Sequence, residues 1–359
     1  MSLPRVCLDC EALKDLNSGF SHFVVPLAHE LLALNRQQPR FRLSFFTPPA
    51  AQGVLGTQGV KYLTQHSFHK YFNPHSYRLR LWHATQQLSW YVPTSPLTKV
   101  VLTVHDLNFL HENPDEHTYT RQLAMVRRNI GRADSIVTIS DYVLQDILQH
   151  ADLLGYTGEQ PLRYIRRGVE ALLPAQDHRP ALVPTRPFLF GLGTINAKKN
   201  WHVLLPLLEG TDYELIIAGS FAEHDYAQNL LAAARRAGVA DRLHLLTRIS
   251  EEDKAWYFAH CLAYLQPSLA EGFGLPVVEA LQLGKPVFLS RFTSLPEVGG
   301  DAAYYFDDFT PAHLRQRLAE GLAQHSPARA AAAVAHAAQF SWAQAAQEYM
   351  DVYQELLGA

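Results

Sequence analysis

Short apolar runs rich in β-branched and aromatic residues alternate along the chain with longer stretches whose apolar positions recur at helical spacing. The runs fall at 6–8, 43–46, 100–104, 136–139 and 162–165, and again at 188–192, 215–218, 243–246, 262–265, 287–289 and 302–306. A further strand is expected to end at His83-Ala84-Thr85. Continuous apolar strands separated by helices predict parallel sheets covered on both faces. The fold class is therefore α/β, with two doubly wound domains. Residues 172–187 carry four prolines and no strong period, as an interdomain linker does, which puts the seam near 180. The expected domains are 1–178 and 179–340, followed by a helix over 341–359. Helices are predicted at 22–33, 276–283, 311–323, 330–338 and 341–357, the last capped by Ser341.

Length and composition agree with two separate cores, since 359 residues are 48% hydrophobic and only 18% charged. A net charge of -3 disfavours a nucleic-acid binder. The halves differ: residues 1–170 hold 17 Lys and Arg against 14 Asp and Glu, with 10 of the 18 His, and the remainder is acidic. No run approaches the roughly 20 apolar residues of a membrane span, and the start lacks the apolar stretch of a signal peptide, so a cytoplasmic protein is expected. Cys7 and Cys10 have C-x-x-C spacing without a second pair, and read as residues in and after a first strand.

In open parallel sheets ligands bind beyond the carboxyl ends of the strands, and four such turns carry candidate chemistry. The first is Ser268 to Ala280, where Gly272, Phe273, Gly274 and Leu275 lead into a helix that Pro276 opens. Bare amides there suit anionic or hydroxyl-rich groups, and Glu271 and Glu279 can both face one bound molecule. The second is Gly191 to Asn200, a small turn followed by Lys198 and Lys199, suited to a diphosphate leaving group. The third is His105-Asp106 at the end of a buried strand. The fourth is the turn Leu16-Asn17-Ser18-Gly19-Phe20, where Gly19 permits close approach of a phosphate.

The segment Glu271 to Ala280 resembles the E-G-F-G-L-P-x-x-E-A hallmark of glycosyltransferase family 4, retaining nucleotide-sugar transferases of GT-B architecture. That architecture implies two Rossmann-like domains facing a cleft, and a last helix crossing back to the first. The resemblance implies that Glu271 and the amides of 272–275 hold donor-sugar hydroxyls and phosphate, and that Glu279 binds the nucleoside ribose. Residues 193–200 resemble the family's G-T-x-x-x-R-K-N, which maps Lys199 onto the diphosphate lysine and Lys198 onto its basic neighbour. Many members have Arg where this chain has Thr194, which leaves Lys198 or a basic residue of the first domain to supply the second charge. Thr103 to Leu107 resembles the T-V-H-D-L of mannosyltransferase members, where the histidine lies beside the transferred sugar. Gly19 corresponds to the family's first Gly-rich turn.

These matches imply a retaining transferase moving a hexose, mannose from GDP-mannose above all, to a glycan or glycolipid hydroxyl. UDP-glucose, UDP-N-acetylhexosamines and GDP-fucose stay open as donors. An epimerase of the same fold, a phosphorylase or a non-catalytic nucleotide-sugar-binding subunit are the alternatives. No Asp-x-Asp occurs, so no metal or other cofactor is expected, with lysines replacing the metal electrostatically. The acceptor is expected on the first domain, near His83, Asp106, Arg78 and Arg80. The segment with His66, His69, Lys70 and His75 among Phe68, Tyr71, Phe72 and Tyr77 reads as an acceptor-side or membrane-surface loop, giving peripheral contact at an inner membrane face.

Overall fold

The computed structural model describes residues 3–16, 18–111 and 115–358. Asn17, in the fourth of the turns above, lies outside them. The chain divides into two compact units, Met1–Glu170 with Ser341–Ala359, and Ala171–Phe340.

The first unit is a parallel sheet of seven strands: β1 (Arg5–Asp9), β2 (Arg42–Thr47), β3 (Tyr62–Thr64), β4 (Leu81–Ala84), β5 (Lys99–Val104), β6 (Ser135–Thr138) and β7 (Leu162–Tyr164). Their order is β3-β2-β1-β4-β5-β6-β7. Helices α1 (Ser21–Gln37), α2 (Glu116–Arg132), α3 (Asp141–Gln149) and α4 (Ala151–Leu154) connect them. The central strands are buried on both faces, which is why they read as unbroken apolar runs. Only β3 escaped that reading, because Tyr62, Leu63 and Thr64 form a short, half-buried edge strand with no pattern of its own.

The second unit has six parallel strands, β8 (Phe188–Leu192), β9 (Glu214–Ala218), β10 (Leu243–Leu246), β11 (Ala263–Gln266), β12 (Val287–Ser290) and β13 (Tyr304–Phe306), ordered β10-β9-β8-β11-β12-β13. Its helices are α5 (His224–Arg236), α6 (Glu251–His260), α7 (Leu275–Gln282), α8 (Leu295–Gly299), α9 (Pro311–Gln324) and α10 (Pro327–Ala337). Each sheet winds outward from its first strand, then reverses, at β1/β4 and at β8/β11. The carboxyl ends beside such reversals are where a crevice opens.

The division between units falls at 170/171, ahead of the proline-rich segment. That segment is tied to the second unit: Leu172 N donates to Gln282 Oε1 at 3.0 Å, and His178 Nε2 meets Asp253 Oδ1 at 2.7 Å. Glu214 Oε1 accepts from the backbone amides of Thr185 and Arg186.

Helix α11 (Trp342–Leu357) returns to the first unit, with Ser341 Oγ accepting from Gln344 N at its start. Its buried face, Trp342, Tyr349 and Tyr353, packs on α1 and β5. A side chain at Gly168 would bring its Cβ within 2.3 Å of Trp342, so only glycine lets the helix seat there.

Candidate functional site

In the second unit, the turns after β8 and β11 lie side by side. Leu269 N donates to the Lys198 carbonyl at 2.8 Å, and Asn200 Nδ2 to that of Pro267 at 3.3 Å. Asn200 adopts a left-handed φ of 58°, and the Asn196 side chain accepts from Lys199 N, so the short turn Ala197–Lys199 is fixed at both ends. Gly193 leaves room for the lysine: an added Cβ would stand 3.3 Å from Lys199 Nζ.

That geometry brings Lys199 Nζ to 2.5 Å from Glu271 Oε1, with both side chains almost buried. Gln266 Nε2 donates to the same oxygen at 2.6 Å. Burial alone pushes the Glu271 carboxyl up. The charge and hydrogen bond of Lys199, with Ser268 and Gln266, outweigh it and hold the carboxyl below its ordinary value. The loop is bolted from behind: Glu271 N donates to Thr293 Oγ1 at 2.8 Å, and Ser294 Oγ donates to the carbonyls of Glu271 and Phe273. Thr293 holds a left-handed φ of 55°, a strained backbone of the kind that clusters at functional sites. Gly274 turns the chain into α7 at φ 98°, where a Cβ would lie 2.9 Å from Leu295 Cδ2. Phe273 is buried edge-on against Phe340, and Leu275 begins the helix.

Glu279 is buried in α7 and receives Lys254 Nζ at 2.7 Å, a lysine that Glu251 also engages. Burial opposes the Lys254 charge, but Glu279 and Glu251 prevail and raise its pKa. Thr194 contributes its carbonyl to Trp201 Nε1 at 3.1 Å. Lys198 is half-buried beside it.

In the first unit, His105 follows β5 and is 5% exposed. Its Nε2 lies 2.8 Å from the Thr85 carbonyl, and its backbone N donates to Gln87 Oε1. Phe20 and Phe23, at the start of α1, meet the ring edge-on at 4.9 and 4.7 Å. Burial and then the charge of Arg167 outweigh the Thr85 bond and drive the pKa down to about 3. The ring is neutral at physiological pH. A carbonyl can only accept, so Nε2 carries the proton and Nδ1 is left as an acceptor. Asp106 Oδ1 accepts from Asn108 N and shapes the turn beyond. Gly19 lies ahead of Phe20, and a Cβ there would meet nothing within 4 Å.

Of the residues expected near the acceptor, His83, Arg78 and Arg80 do not lie beside the His105 turn. His83 is wholly buried in β4, with Nδ1 2.7 Å from Tyr353 Oη and Nε2 2.8 Å from Thr103 Oγ1. Nδ1 thus meets α11 and Nε2 meets β5, and burial lowers its pKa to about 3. Arg78 and Arg80 precede β4, at the amino edge of the sheet, whereas His105 follows the carboxyl end of β5. Cys7 and Cys10 are buried, and both thiols turn to the Leu8 carbonyl. Among the described residues no cluster of three or more His, Cys, Asp or Glu is arranged to hold a metal ion.

Three of the residues that organise the site were not anticipated: Gln266, Lys254 and Thr293. Gln266 carried a signal, a polar residue closing an apolar strand. Lys254 follows the capping sequence of α6 and has the look of a solvated residue, and Thr293 has no local mark at all.

Residues 175–336 match the family described as glycosyl transferases group 1. The chain is 29% identical over 291 residues to the O-antigen chain mannosyltransferase B of Escherichia coli, covering 75% of this chain and 73% of that protein. It is 26% identical to the serotype-specific mannosyltransferase WbdA of the same species, over 72% of this chain but 34% of WbdA. Among solved structures, Anabaena HepE in complex with UDP and glucose superimposes with a TM-score of 0.73 at 18% identity, covering 98% of this chain and all of HepE. Sucrose-phosphate synthase from Thermosynechococcus elongatus gives 0.73 at 18%, covering 99% of each chain. The fold of all three is the two-sheet GT-B arrangement.

Proposed function

We propose that this chain, a glycosyltransferase whose second unit belongs to the group 1 glycosyl transferases, is a retaining mannosyltransferase that takes mannose from GDP-mannose to a hydroxyl of a glycan or lipid-linked glycan. The observation that carries the reading is the buried pair of Lys199 and Glu271 between the two strand-end turns. A cation held by a single carboxylate is poised to exchange it for a diphosphate, which offers more oxygens and more charge. The carboxylate released is then an acceptor for sugar hydroxyls. Similarity to two mannosyltransferases supports mannose over other hexoses.

In this reading the amides of 272–275 and Lys199, with Lys198 beside it, stabilise charge on the departing diphosphate, and no metal is required. The C1–O bond to phosphate breaks, the acceptor oxygen bonds to C1 from the same face, and its proton passes to the departing phosphate oxygen. Glu279, steadied by Lys254, takes the ribose hydroxyls. His105 contributes a neutral Nδ1 that accepts from a hydroxyl of the sugar. Incubation with GDP-mannose and a glycan acceptor, with and without chelator, tests it: GDP release must depend on acceptor and survive chelation. Donor conversion without acceptor would indicate an epimerase instead, and no conversion of any nucleotide sugar a binding subunit.

A further inference from the structure

The transfer reaction uses the carboxyl ends of the strands, yet the first unit also sets cations along their amino ends. Arg42 opens β2 and Arg5 opens β1, directly paired in the sheet. Arg80 N donates to the Arg5 carbonyl at 2.9 Å ahead of β4, and the Lys61 carbonyl accepts from Phe45 N ahead of β3. Four neighbouring strands thus begin with a positive side chain. Lys99 continues the row at β5, where Asp134 neutralises it at 2.8 Å.

Arg5, Arg42, Lys61 and Arg78 ring a hollow of about 320 Å³, which Ser44, Leu63, His75 and Leu79 also line and which no carboxylate of the described residues lines. All four are exposed. Among the described residues their side chains engage in no hydrogen bond or ion pair. Like charges gathered around a concave surface with no counter-charge produce a focused positive potential.

Exposed apolar side chains stand on the segments around Arg78. Tyr77, next to Arg78, is 63% exposed and its ring lies 6.1 Å from that of Phe72, which is 57% exposed. Leu97 is 74% exposed, and its neighbour Thr98 donates to the Ser76 carbonyl at 2.7 Å, which ties that loop to the same edge. Aromatic side chains favour the headgroup layer of a bilayer, and basic clusters are drawn to anionic lipid. Stable anchoring without a lipid chain takes two such signals together.

We propose that the amino-end edge of the first unit docks on an anionic phospholipid surface. Headgroup phosphates enter the hollow of Arg5, Arg42, Lys61 and Arg78, and Phe72, Tyr77 and Leu97 rest in the headgroup layer. Docking by this edge leaves the carboxyl end of the sheet, with His105, turned away from the lipid. The inference goes beyond the transfer reading and does not depend on it, because it is read by partition rather than turnover.

The test is co-sedimentation of the full chain with vesicles of phosphatidylglycerol and phosphatidylcholine, or of phosphatidylcholine alone, at low and high salt. Binding to the anionic vesicles only, lost at high salt, is expected. Arg42→Glu with Lys61→Glu should weaken the partition by at least about 10-fold, with an unchanged thermal midpoint. Phe72→Ser with Tyr77→Ser should weaken it at low salt, where the wild type binds. Equal partition of the charge-reversed variant, or no vesicle binding by the wild type, overturns the proposal. A thermal shift with inorganic pyrophosphate that the charge reversal abolishes, without vesicle binding, also overturns it and makes the hollow a site for a soluble anion.

Discussion

Lys199 Nζ stands 2.5 Å from Glu271 Oε1, and the two residues reach each other from turns 72 positions apart in the chain. Neither turn could place its charged side chain in so buried a position alone, because each would leave an uncompensated charge. The pair therefore couples the folding of the second unit to the geometry of the proposed donor site. Lys199→Ala should lower turnover by about 10²-fold or more, the usual consequence of removing one preorganised partner of a developing charge. Glu271→Ala should lower it similarly. In a double-mutant cycle read by urea unfolding, the two losses of stability should sum to more than the loss in the double variant, since each single change strands the other's charge.

Acid should expose the same pair. The Glu271 carboxyl is held below its ordinary value in the folded chain, so below about pH 4.5 the unfolded chain binds the extra proton first. Its contribution is present at neutral pH and is lost as pH falls through the depressed folded value. Urea midpoints between about pH 5 and pH 3 should fall less steeply in Glu271→Gln than in the wild type.

His83 and His105 act in the same direction over a higher window, because their pKa values are also lowered, to about 3 each, chiefly by burial. Between that value and the ordinary one near 6.5 the unfolded chain takes up protons that the folded chain refuses, so stability falls as pH drops through the window. The thermal midpoint should decline from about pH 7 to pH 4, and His83→Gln should flatten the decline. Turnover should show no ionisation belonging to His105 near pH 6.5, while His105→Ala should lower kcat.

Much of this was legible in the chain. The apolar runs that mark β5, β8 and β11 are buried on both faces, so local pattern and tertiary environment agree. Glu271, Gly274 and Glu279 stand out because a turn, a helix start and two carboxylates coincide over ten residues. Lys254 and Thr293 do not, because their partners arrive from other elements. Arg78 and Arg80 lie near His83 in sequence, but a parallel strand carries the chain from one edge of the sheet to the other. Nearness along the chain therefore does not put Arg78 and Arg80 on the same edge as His105.

Glu279 and Lys254 form the second buried pair, and the two should separate binding from catalysis. Glu279→Ala should raise KM for the donor about 10-fold with a smaller effect on kcat, as loss of uniform binding does. Lys254→Ala leaves Glu279 buried without its cation and should cost about 3 kcal/mol or more in denaturant unfolding, along with weaker nucleotide binding.

Two glycines should respond differently to the same change. Gly274→Ala forces a Cβ into a left-handed backbone and against Leu295, and should destabilise by about 1–3 kcal/mol while displacing the amides of the loop. Gly19→Ala meets open space and should leave the thermal midpoint unchanged. A fall in turnover of the Gly19 variant without a change in stability would mark that turn as one a ligand approaches.

Tyr353→Phe removes the hydroxyl that His83 Nδ1 engages and leaves a buried polar atom unpaired. The loss should be about 1–3 kcal/mol, measured by urea unfolding.

The most direct test of the central claim is acceptor-dependent GDP release from GDP-mannose, measured side by side for the wild type and Lys199→Ala in the presence of chelator. The account predicts steady turnover by the wild type, an α-linked product, and a loss of about 10²-fold or more in the variant. Turnover by Lys199→Ala at the wild-type rate would contradict it.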